Sequence, residues 1–325
     1  MLRRMPPVTT GPLLTSSFPL PLAHPFHSTT AADAGISRKV LARLLRDGLV
    51  RRLVKGVYVA AQTPDTLTLR AEALALVVPD GAVVTDWTAA WLFTGLLRPG
   101  DHLRVPPVSM FLPAGRGRLR NELCESGERA FVKSDLTVVG GFTVTTPLRT
   151  AWDVGRFSNR DVAIGGLDAL LRGGWFHRDA LLMGVERFRR QRNVVQLREL
   201  APLADARAES PGESVLRLRW LDLSSLPRPT PQVPILDAHG RPVFWLDLGV
   251  PELRFAVEYD GELFHSTDQD REHDDQRRAW IRRERGWIIE PVRRDNLFGP
   301  TQDIERILHE GIARARREAG RLGPS

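Results

Sequence analysis

The stretch that decides the fold of the C-terminal third is residues 245–265, which read WLDLGVPELRFAVEYDGELFH. Two apolar runs with alternating acidic residues are separated by a Pro-Glu turn, a pattern that predicts two antiparallel β-strands. Because successive side chains of a strand point to opposite faces, Glu258 and Asp260 share one face, and Asp247 lies on the neighbouring strand. The pattern therefore predicts three carboxylates that converge on one face of a sheet.

The segments around this hairpin extend it into an α/β unit. Periodicity and turn residues predict the order helix, three strands, helix, strand, helix, with the elements at 213–223, 232–236, 242–250, 255–260, 268–285, 287–292 and 301–317. A stretch containing Pro and Gly, residues 208–212, precedes the first helix and predicts a domain boundary.

Converging carboxylates repel one another unless a cation lies between them, and Mg²⁺ prefers oxygen ligands of this kind. A bound Mg²⁺ polarises a phosphate and lowers the pKa of an attacking water, so phosphodiester hydrolysis is the natural chemistry. The alternative is that Asp247 and Glu258 are strand-end residues whose charges are balanced by nearby arginines.

The N-terminal part has a different pattern. In residues 28–61 two short helices, the second capped by Ser37, precede a hairpin that turns at Lys55 and Gly56. Helix, turn, helix and hairpin are the order of a winged helix. Residues 63–204 mix helices and strands and predict an α+β middle domain.

Basic residues are concentrated on the second helix and the hairpin of this segment. They could contact a DNA phosphate backbone, which would make binding sensitive to salt. The alternative is a solvated helix face in an arginine-rich protein. The candidate DNA-binding residues are Arg38, Lys39, Arg43, Arg46, Arg51, Arg52 and Lys55.

Composition limits the remaining possibilities. The net charge is +7, and Cys124 is the single cysteine, which excludes an internal disulfide and is typical of a cytoplasmic protein. No apolar run approaches the roughly 18 residues of a membrane span, so no membrane partner is expected. The prolines of residues 1–27 predict a disordered tail, and 319–325 are expected to form a second tail.

The C-terminal part resembles the Vsr-like (very-short-patch-repair-like) endonuclease domains of the PD-(D/E)XK superfamily. The resemblance lies in ESVLRLRWL at 213–221, in the stretch 245–265 and in DDQRRAWIRRERGWIIEPVRRDNL at 274–297. It implies a restriction-endonuclease-like core over 205–318, with Asp247 and Glu258 as ligands of Mg²⁺ or Mn²⁺.

The same resemblance implies further site residues. Glu213 would be an accessory acid, Asp260 and His265 would join the catalytic site, and Asp275 with Arg278 would form a structural or substrate-facing pair. The superfamily pattern ends in E-x-K, whereas this chain has Asp260 at the lysine position. No lysine follows residue 205, so His265 or another group must replace it.

Residues 28–61, together with VVTDWTAAWLFTGLL at 83–97 and FTVTTPLRTAWDVGR at 142–156, resemble AbiEi-type antitoxins and related regulators. This resemblance implies a winged helix at 28–62, an antitoxin-like domain at 63–204 and binding to double-stranded DNA. Three functions stay open: a Mg²⁺-dependent DNA endonuclease, a non-enzymatic regulator or type IV antitoxin with a toxin partner, or a purely structural or protein-interaction role. The sequence leaves the oligomeric state unknown.

Overall fold

The structure is a computed structural model, and it describes residues 13–98, 107–120, 124–260 and 268–322, without the side chains of 268–275. The chain forms two compact units, an N-terminal unit of Met1–Phe157 with Trp175–Gly184 and a C-terminal unit of Ser158–Gly174 with Val185–Ser325. The expected α/β multidomain class is confirmed, since helices accompany three sheets in the described ranges. The finer three-domain division stays a prediction.

The N-terminal unit begins with a small sheet and two helices. Its three strands have the antiparallel order β1-β3-β2. The predicted cap of the second helix is confirmed, because Ser37 Oγ accepts the Val40 N–H at 3.3 Å. The elements are β1 (Phe26–His27), α1 (Ser28–Asp33), α2 (Arg38–Arg46), β2 (Val50–Val54) and β3 (Val57–Ala60).

The described part of the predicted N-terminal tail, residues 13–27, is packed rather than disordered. Leu14, Phe18 and Phe26 are buried in the core beneath α1 and α2, and Phe26 pairs with Tyr58 of β3. The prolines prevent a regular helix here, but an irregular segment can still cover a small helix pair with apolar side chains.

A second, five-stranded sheet follows in the same unit. Its order is β6-β5-β4-β8-β7, with parallel pairs β5–β6 and β4–β8. A turn at Gly140 and Gly141 joins β7 to β8, and both glycines have positive φ. The elements are α3 (Leu67–Ala75), β4 (Val83–Val84), α4 (Asp86–Thr94), β5 (Val108–Pro113), β6 (Cys124–Arg129), β7 (Leu136–Val139), β8 (Phe142–Thr145) and α5 (Pro147–Phe157).

The hairpin of β2 and β3 is shared by two hydrophobic cores. Val50 and Tyr58 pack with α1 and α2, whereas Leu53 and Val59 pack with α3, α4 and the five-stranded sheet. Every residue of β3 is buried. The segment predicted as a winged helix is therefore continuous with the core that follows it.

Buried ion pairs join the sheet to α5. Arg149 bonds Asp153 at 2.8 Å and Asp135 at 2.5 Å, and Arg129 bonds Asp86 at 2.7 Å and Asp153 at 3.2 Å. Burial raises the pKa of Asp153, and the two arginines oppose that rise. These charges balance one another inside the unit, so they form a structural network.

The remaining elements belong to the C-terminal unit, with the exception of α7 (Arg178–Met183), which is part of the N-terminal unit. The predicted order from the first helix through the last strand is confirmed, with one additional short helix after that strand. The elements are α6 (Arg160–Arg172), α7 (Arg178–Met183), α8 (Val194–Leu200), α9 (Pro211–Asp222), β9 (Thr230–Leu236), β10 (Pro242–Val250), β11 (Phe255–Asp260), α10 (Asp268–Arg285), β12 (Ile288–Arg293), α11 (Arg294–Leu297) and α12 (Ile304–Leu322).

The four-stranded sheet of this unit has the order β12-β11-β10-β9, with β11 and β12 parallel. Ile281 of α10 is buried against this sheet with Ala256 and Ile289. The predicted C-terminal tail is corrected in its first half, because α12 continues through residue 322. None of the helices in the described ranges is long and apolar enough to span a membrane.

Helix α6 belongs to the C-terminal unit, whereas the sequence predicts that its residues belong to the middle domain at 63–204. Asp168 of α6 and Arg217 of α9 form a buried ion pair of 2.6 Å, and Asp168 also accepts the Asp205 N–H at 2.8 Å. Burial raises the pKa of Asp168, while Arg217 opposes that rise. This pair fixes α9, the helix that carries Glu213.

Candidate functional site

The candidate site is built on one row of residues across the four-stranded sheet. Leu248 of β10 pairs with Val257 of β11, and Asp247 and Glu258 are the next residues along the two strands, just beyond this last paired position. The strand β9 pairs with β10 on both sides of this position, which sets Gln232 opposite Asp247. Three neighbouring strands therefore contribute an amide, a carboxyl and a carboxylate side chain to one row.

Glu213 joins this row from the first turn of α9. Ser210 caps the helix by accepting the Glu213 N–H at 3.2 Å. The Glu213 Oε2 atom accepts the Glu209 N–H at 2.9 Å and the Gln232 Nε2–H at 3.1 Å. An acidic residue is favourable here because helix N-termini carry partial positive charge.

Gly212 permits the close approach of this helix to the sheet. A Cβ atom at Gly212 would lie 2.0 Å from the ring of Tyr259, which follows Glu258 on β11. The Tyr259 ring thus packs directly against the first turn of α9, and the glycine is required by that contact.

Asp247 is the most perturbed acid of the site. Its Oδ2 atom accepts the Tyr259 N–H at 2.8 Å. Burial raises the pKa of Asp247 to about 7, and the negative charges of Glu213 and Glu258 contribute to the rise. The Tyr259 N–H and the positive charge of Arg277 oppose it. Negative charge at this position is therefore incompletely balanced by the surrounding residues.

Glu258 is in the opposite situation. Its side chain is almost fully buried, and Arg277 Nη2 bonds both carboxylate oxygens at 2.9 and 3.0 Å. Arg278 Nε bonds Oε2 at 2.8 Å. Both arginines lie on α10, which covers this face of the sheet. The alternative of charge balance by arginines therefore describes Glu258, whereas Asp247 is balanced only in part, by Arg277.

The other predicted catalytic residues are not part of this cluster as described. Asp260 is at the end of β11, where its side chain is 41% exposed and its Oδ2 atom is 4.0 Å from Arg293 Nε. His265 and the side chain of Asp275 lie outside the described residues. Arg278, expected to pair with Asp275, contacts Glu258.

A divalent cation suits part of this arrangement. In the described ranges no group of three or more His, Cys, Asp or Glu side chains is arranged to hold a metal. The charge of Glu213 nevertheless helps to raise the pKa of Asp247, and carboxylate oxygens are the ligands that a hard cation prefers. Glu258, predicted as a metal ligand together with Asp247, could contribute only by giving up a bond to Arg277 or Arg278. The metal set of Asp247 and Glu258 therefore stays a prediction.

A second candidate surface is the exposed face of α2. Leu41 and Leu44 are buried on the opposite face, which turns the basic side chains outward. None of these basic residues forms an ion pair with a described residue, in contrast to arginines of the C-terminal unit such as Arg217, Arg277 and Arg278. The residues of this basic face are Arg38, Lys39, Arg43 and Arg46.

The basic residues of the adjacent hairpin are less free. Arg51 is half-buried, and its Nη2 atom donates to the Thr63 carbonyl at 2.9 Å. The guanidinium of Arg52 lies 5.3 Å from the centre of the Tyr58 ring. Lys55 is half-buried in the turn. The hairpin therefore holds part of its positive charge in local contacts, and α2 is the better candidate for binding an anion.

The sequence patterns missed two residues of the site, Arg277 and Gln232. Arg277 precedes the predicted Arg278 and lies on the same helix, so its charge gave a usable signal. Gln232 gave no signal, because a single amide at the start of a strand predicts no chemistry. Only the strand register and the bond to Glu213 bring it into the site.

Comparison with known proteins identifies two relatives. The uncharacterized proteins MT2308 and Rv2248 of Mycobacterium tuberculosis, from strains CDC 1551 and H37Rv, are each 33% identical to the chain over 271 residues. The match covers 81% of the chain and 92% of each relative. No protein-family model matches the sequence. The protein belongs to the same family as these two mycobacterial proteins.

Proposed function

We propose that the protein binds double-stranded DNA and that its C-terminal unit hydrolyses phosphodiester bonds with Mg²⁺ or Mn²⁺. In this proposal residues 28–62 act as a winged helix, and 205–318 act as a restriction-endonuclease-like core of the Vsr-like kind. The observation that carries the proposal is the surroundings of Asp247, whose Oδ2 atom accepts the Tyr259 N–H at 2.8 Å and whose pKa is raised to about 7 by burial and by the charges of Glu213 and Glu258. Acids perturbed in this way are concentrated at functional sites.

The roles of the acidic residues follow from their surroundings. Asp247 and Glu213 would hold the cation, and Glu258 would join them if α10 released one of its arginines. The cation would supply charge to polarise the phosphate and to lower the pKa of a bound water. Asp260, which is partly exposed at the strand end, could orient water, as could His265.

The basic face of α2 supports the DNA-binding part of the proposal. Four cations on one exposed helix face, without carboxylate partners among the described residues, suit the regular negative charge of a phosphate backbone. Such a function is exercised in the cytoplasm, and it requires no membrane partner.

Cleavage of plasmid DNA by the purified full chain tests the enzyme proposal. With Mg²⁺ or Mn²⁺ the wild type should nick or cut the plasmid, and Asp247→Ala should abolish cleavage. Asp237→Ala is the matched control, since Asp237 lies in the β9–β10 turn and bonds only to its own loop. Full cleavage by Asp247→Ala would refute the site.

A second function, a non-enzymatic regulator or type IV antitoxin with a toxin partner, is favoured by one observation. Glu258 already has its charge balanced by Arg277 and Arg278, as expected for a core that has lost its metal. Titration calorimetry with Mn²⁺ separates the two functions. Heat of binding that disappears in Asp247→Ala supports the enzyme, and its absence from the wild type supports the regulator.

A further inference from the structure

A segment rich in arginine lies between α7 and α8 along the chain. Residues 187–192 read RFRRQR, which places four arginines within six positions and includes no acidic residue. The segment belongs to the C-terminal unit, and we call it the arginine turn. Its exposed basic residues are Arg187, Arg189, Arg190 and Arg192.

Buried apolar residues hold the backbone of the arginine turn. Phe188, inside the turn, is almost fully buried, and Val185 and Val194 on either side of it are buried as well. The Gln191 N–H donates to the Phe188 carbonyl at 2.9 Å, which tightens the chain between the arginines. The turn therefore presents its cations to solvent from a backbone that is fixed in place.

The positive charge of the turn is not balanced by nearby acids. Arg189 and Arg190 form no ion pair with any residue in the part of the chain that the structure describes. The preceding acid, Glu186, has both carboxylate oxygens bonded to Arg198 of α8, at 3.1 and 3.2 Å. By contrast, several arginines of α6 and α9 have carboxylate partners, namely Arg160, Arg217 and Arg219.

The chemistry of these groups favours a phosphate backbone as the partner. Guanidinium groups stay charged at physiological pH, and their planar N–H donors match phosphate oxygens. Duplex DNA carries one negative charge per roughly 1.7 Å of its axis, so a compact group of arginines can contact more than one phosphate.

The burial of Phe188 distinguishes duplex from single-stranded nucleic acid. Proteins that bind single strands usually stack the bases on exposed aromatic rings. The aromatic residue of the arginine turn is 2% exposed, so the turn offers charge without a stacking surface. This combination fits the outside of a duplex.

We propose that the arginine turn binds the phosphate backbone of double-stranded DNA, with Arg189 and Arg190 as contacting residues. The inference rests on the proposed function and extends it, because it gives the C-terminal unit a DNA contact separate from the basic face of α2. Backbone contacts of this kind position a protein on the duplex and carry no base specificity.

Fluorescence anisotropy of a labelled DNA duplex of mixed sequence, titrated with the full chain in EDTA at several salt concentrations, tests the inference. The double variant Arg189→Gln with Arg190→Gln removes two phosphate contacts, so the slope of log K against log salt should become less steep by about 1.8. The affinity should fall by about 60-fold at about 0.1 M salt. The melting temperature should equal that of the wild type, because both side chains are exposed.

Two further double variants are the controls. Arg189→Lys with Arg190→Lys keeps the charge and should keep most of the slope. Arg241→Gln with Arg306→Gln removes the same net charge from exposed positions of the same unit, but each of these arginines is paired with a carboxylate. The slope of this variant should equal that of the wild type.

The possible results separate this inference from the proposed function. If the wild type binds the duplex and the glutamine variant of the arginine turn has the same slope and affinity, the inference is overturned and DNA binding is kept. A wild type that binds no duplex would overturn both. An equal loss in the Arg241 and Arg306 control would reduce the effect to net charge and overturn the assignment, as would tighter binding to the single strand than to the duplex.

Discussion

Replacement of Asp247 by asparagine should stabilise the metal-free protein at neutral and higher pH. The substitution keeps the size of the side chain and an oxygen that can accept the Tyr259 N–H, and it removes the charge that Glu213 and Glu258 repel. A more stable variant with a lost function is expected wherever like charges are kept together for binding a ligand.

The magnitude follows from the pKa of Asp247. Each tenfold change in proton affinity is worth about 1.4 kcal/mol. A rise from 3.8 to about 7 therefore sets an upper limit of about 4 kcal/mol on the cost of ionising this carboxyl in the folded state. The asparagine amide must itself be desolvated, so we expect a gain of about 2 kcal/mol.

The pH dependence has a definite sign. Because the folded-state pKa is raised, the contribution of Asp247 to stability is fully present below pH 3.8 and is lost as the pH rises to about 7. Urea unfolding in that interval, with chelator present, should show a decline for the wild type that is smaller in Asp247→Asn. Added Mg²⁺ should narrow the difference by binding the ionised wild type.

A matched control and a clear refutation are available. Glu252→Gln changes an exposed acid on the turn between β10 and β11, and should alter the unfolding free energy by less than about 0.5 kcal/mol. If Asp247→Asn is no more stable than the wild type at pH 8, and the two pH profiles are parallel, the site does not hold unbalanced charge.

Three further substitutions test the packing around the site by urea unfolding. Glu258→Gln leaves two arginines of α10 without their counter-charge and should cost about 3 kcal/mol. Asp168→Asn does the same to the buried arginine of α9 and should cost about 3–5 kcal/mol. Gly212→Ala forces a methyl group into the Tyr259 ring and should cost about 1–3 kcal/mol.

Two substitutions at exposed positions are the controls for these three predictions. Glu310→Gln breaks an exposed pair with Arg306 and should change stability by less than about 1 kcal/mol. Gly320→Ala adds a methyl group in open space on α12 and should be neutral or stabilising. If Glu310→Gln cost as much stability as Glu258→Gln or Asp168→Asn, the burial argument would be contradicted. The same holds if Gly320→Ala cost as much as Gly212→Ala.

The sequence predicted the C-terminal strands well because their signals are local. The hairpin of β10 and β11 has two apolar runs separated by a Pro-Glu turn, and both signals can be read within about 20 residues. The placement of Asp247 and Glu258 on the two neighbouring strands of this hairpin follows from that pattern alone.

The charge balance of the site could not be predicted, because it depends on contacts between distant elements. Arg277 and Arg278 reach Glu258 from α10, 19 and 20 positions along the chain. Glu213 is fixed by Gln232, which is 19 positions away. The sequence lists candidate acids, and only the packing of helices on the sheet decides which acid is paired with arginine and which keeps its charge.

The hairpin of β2 and β3 has a consequence for how this protein can change in evolution. The residues of the hairpin are divided between two different hydrophobic cores. The segment that contains the basic helix α2 is therefore not expected to fold correctly when it is transferred to another protein by itself. A recombination event that transferred residues 28–62 alone would leave Leu53 and Val59 without their partners and open the five-stranded sheet to water. Exchange between relatives should therefore preserve the hairpin and the sheet as one heritable block.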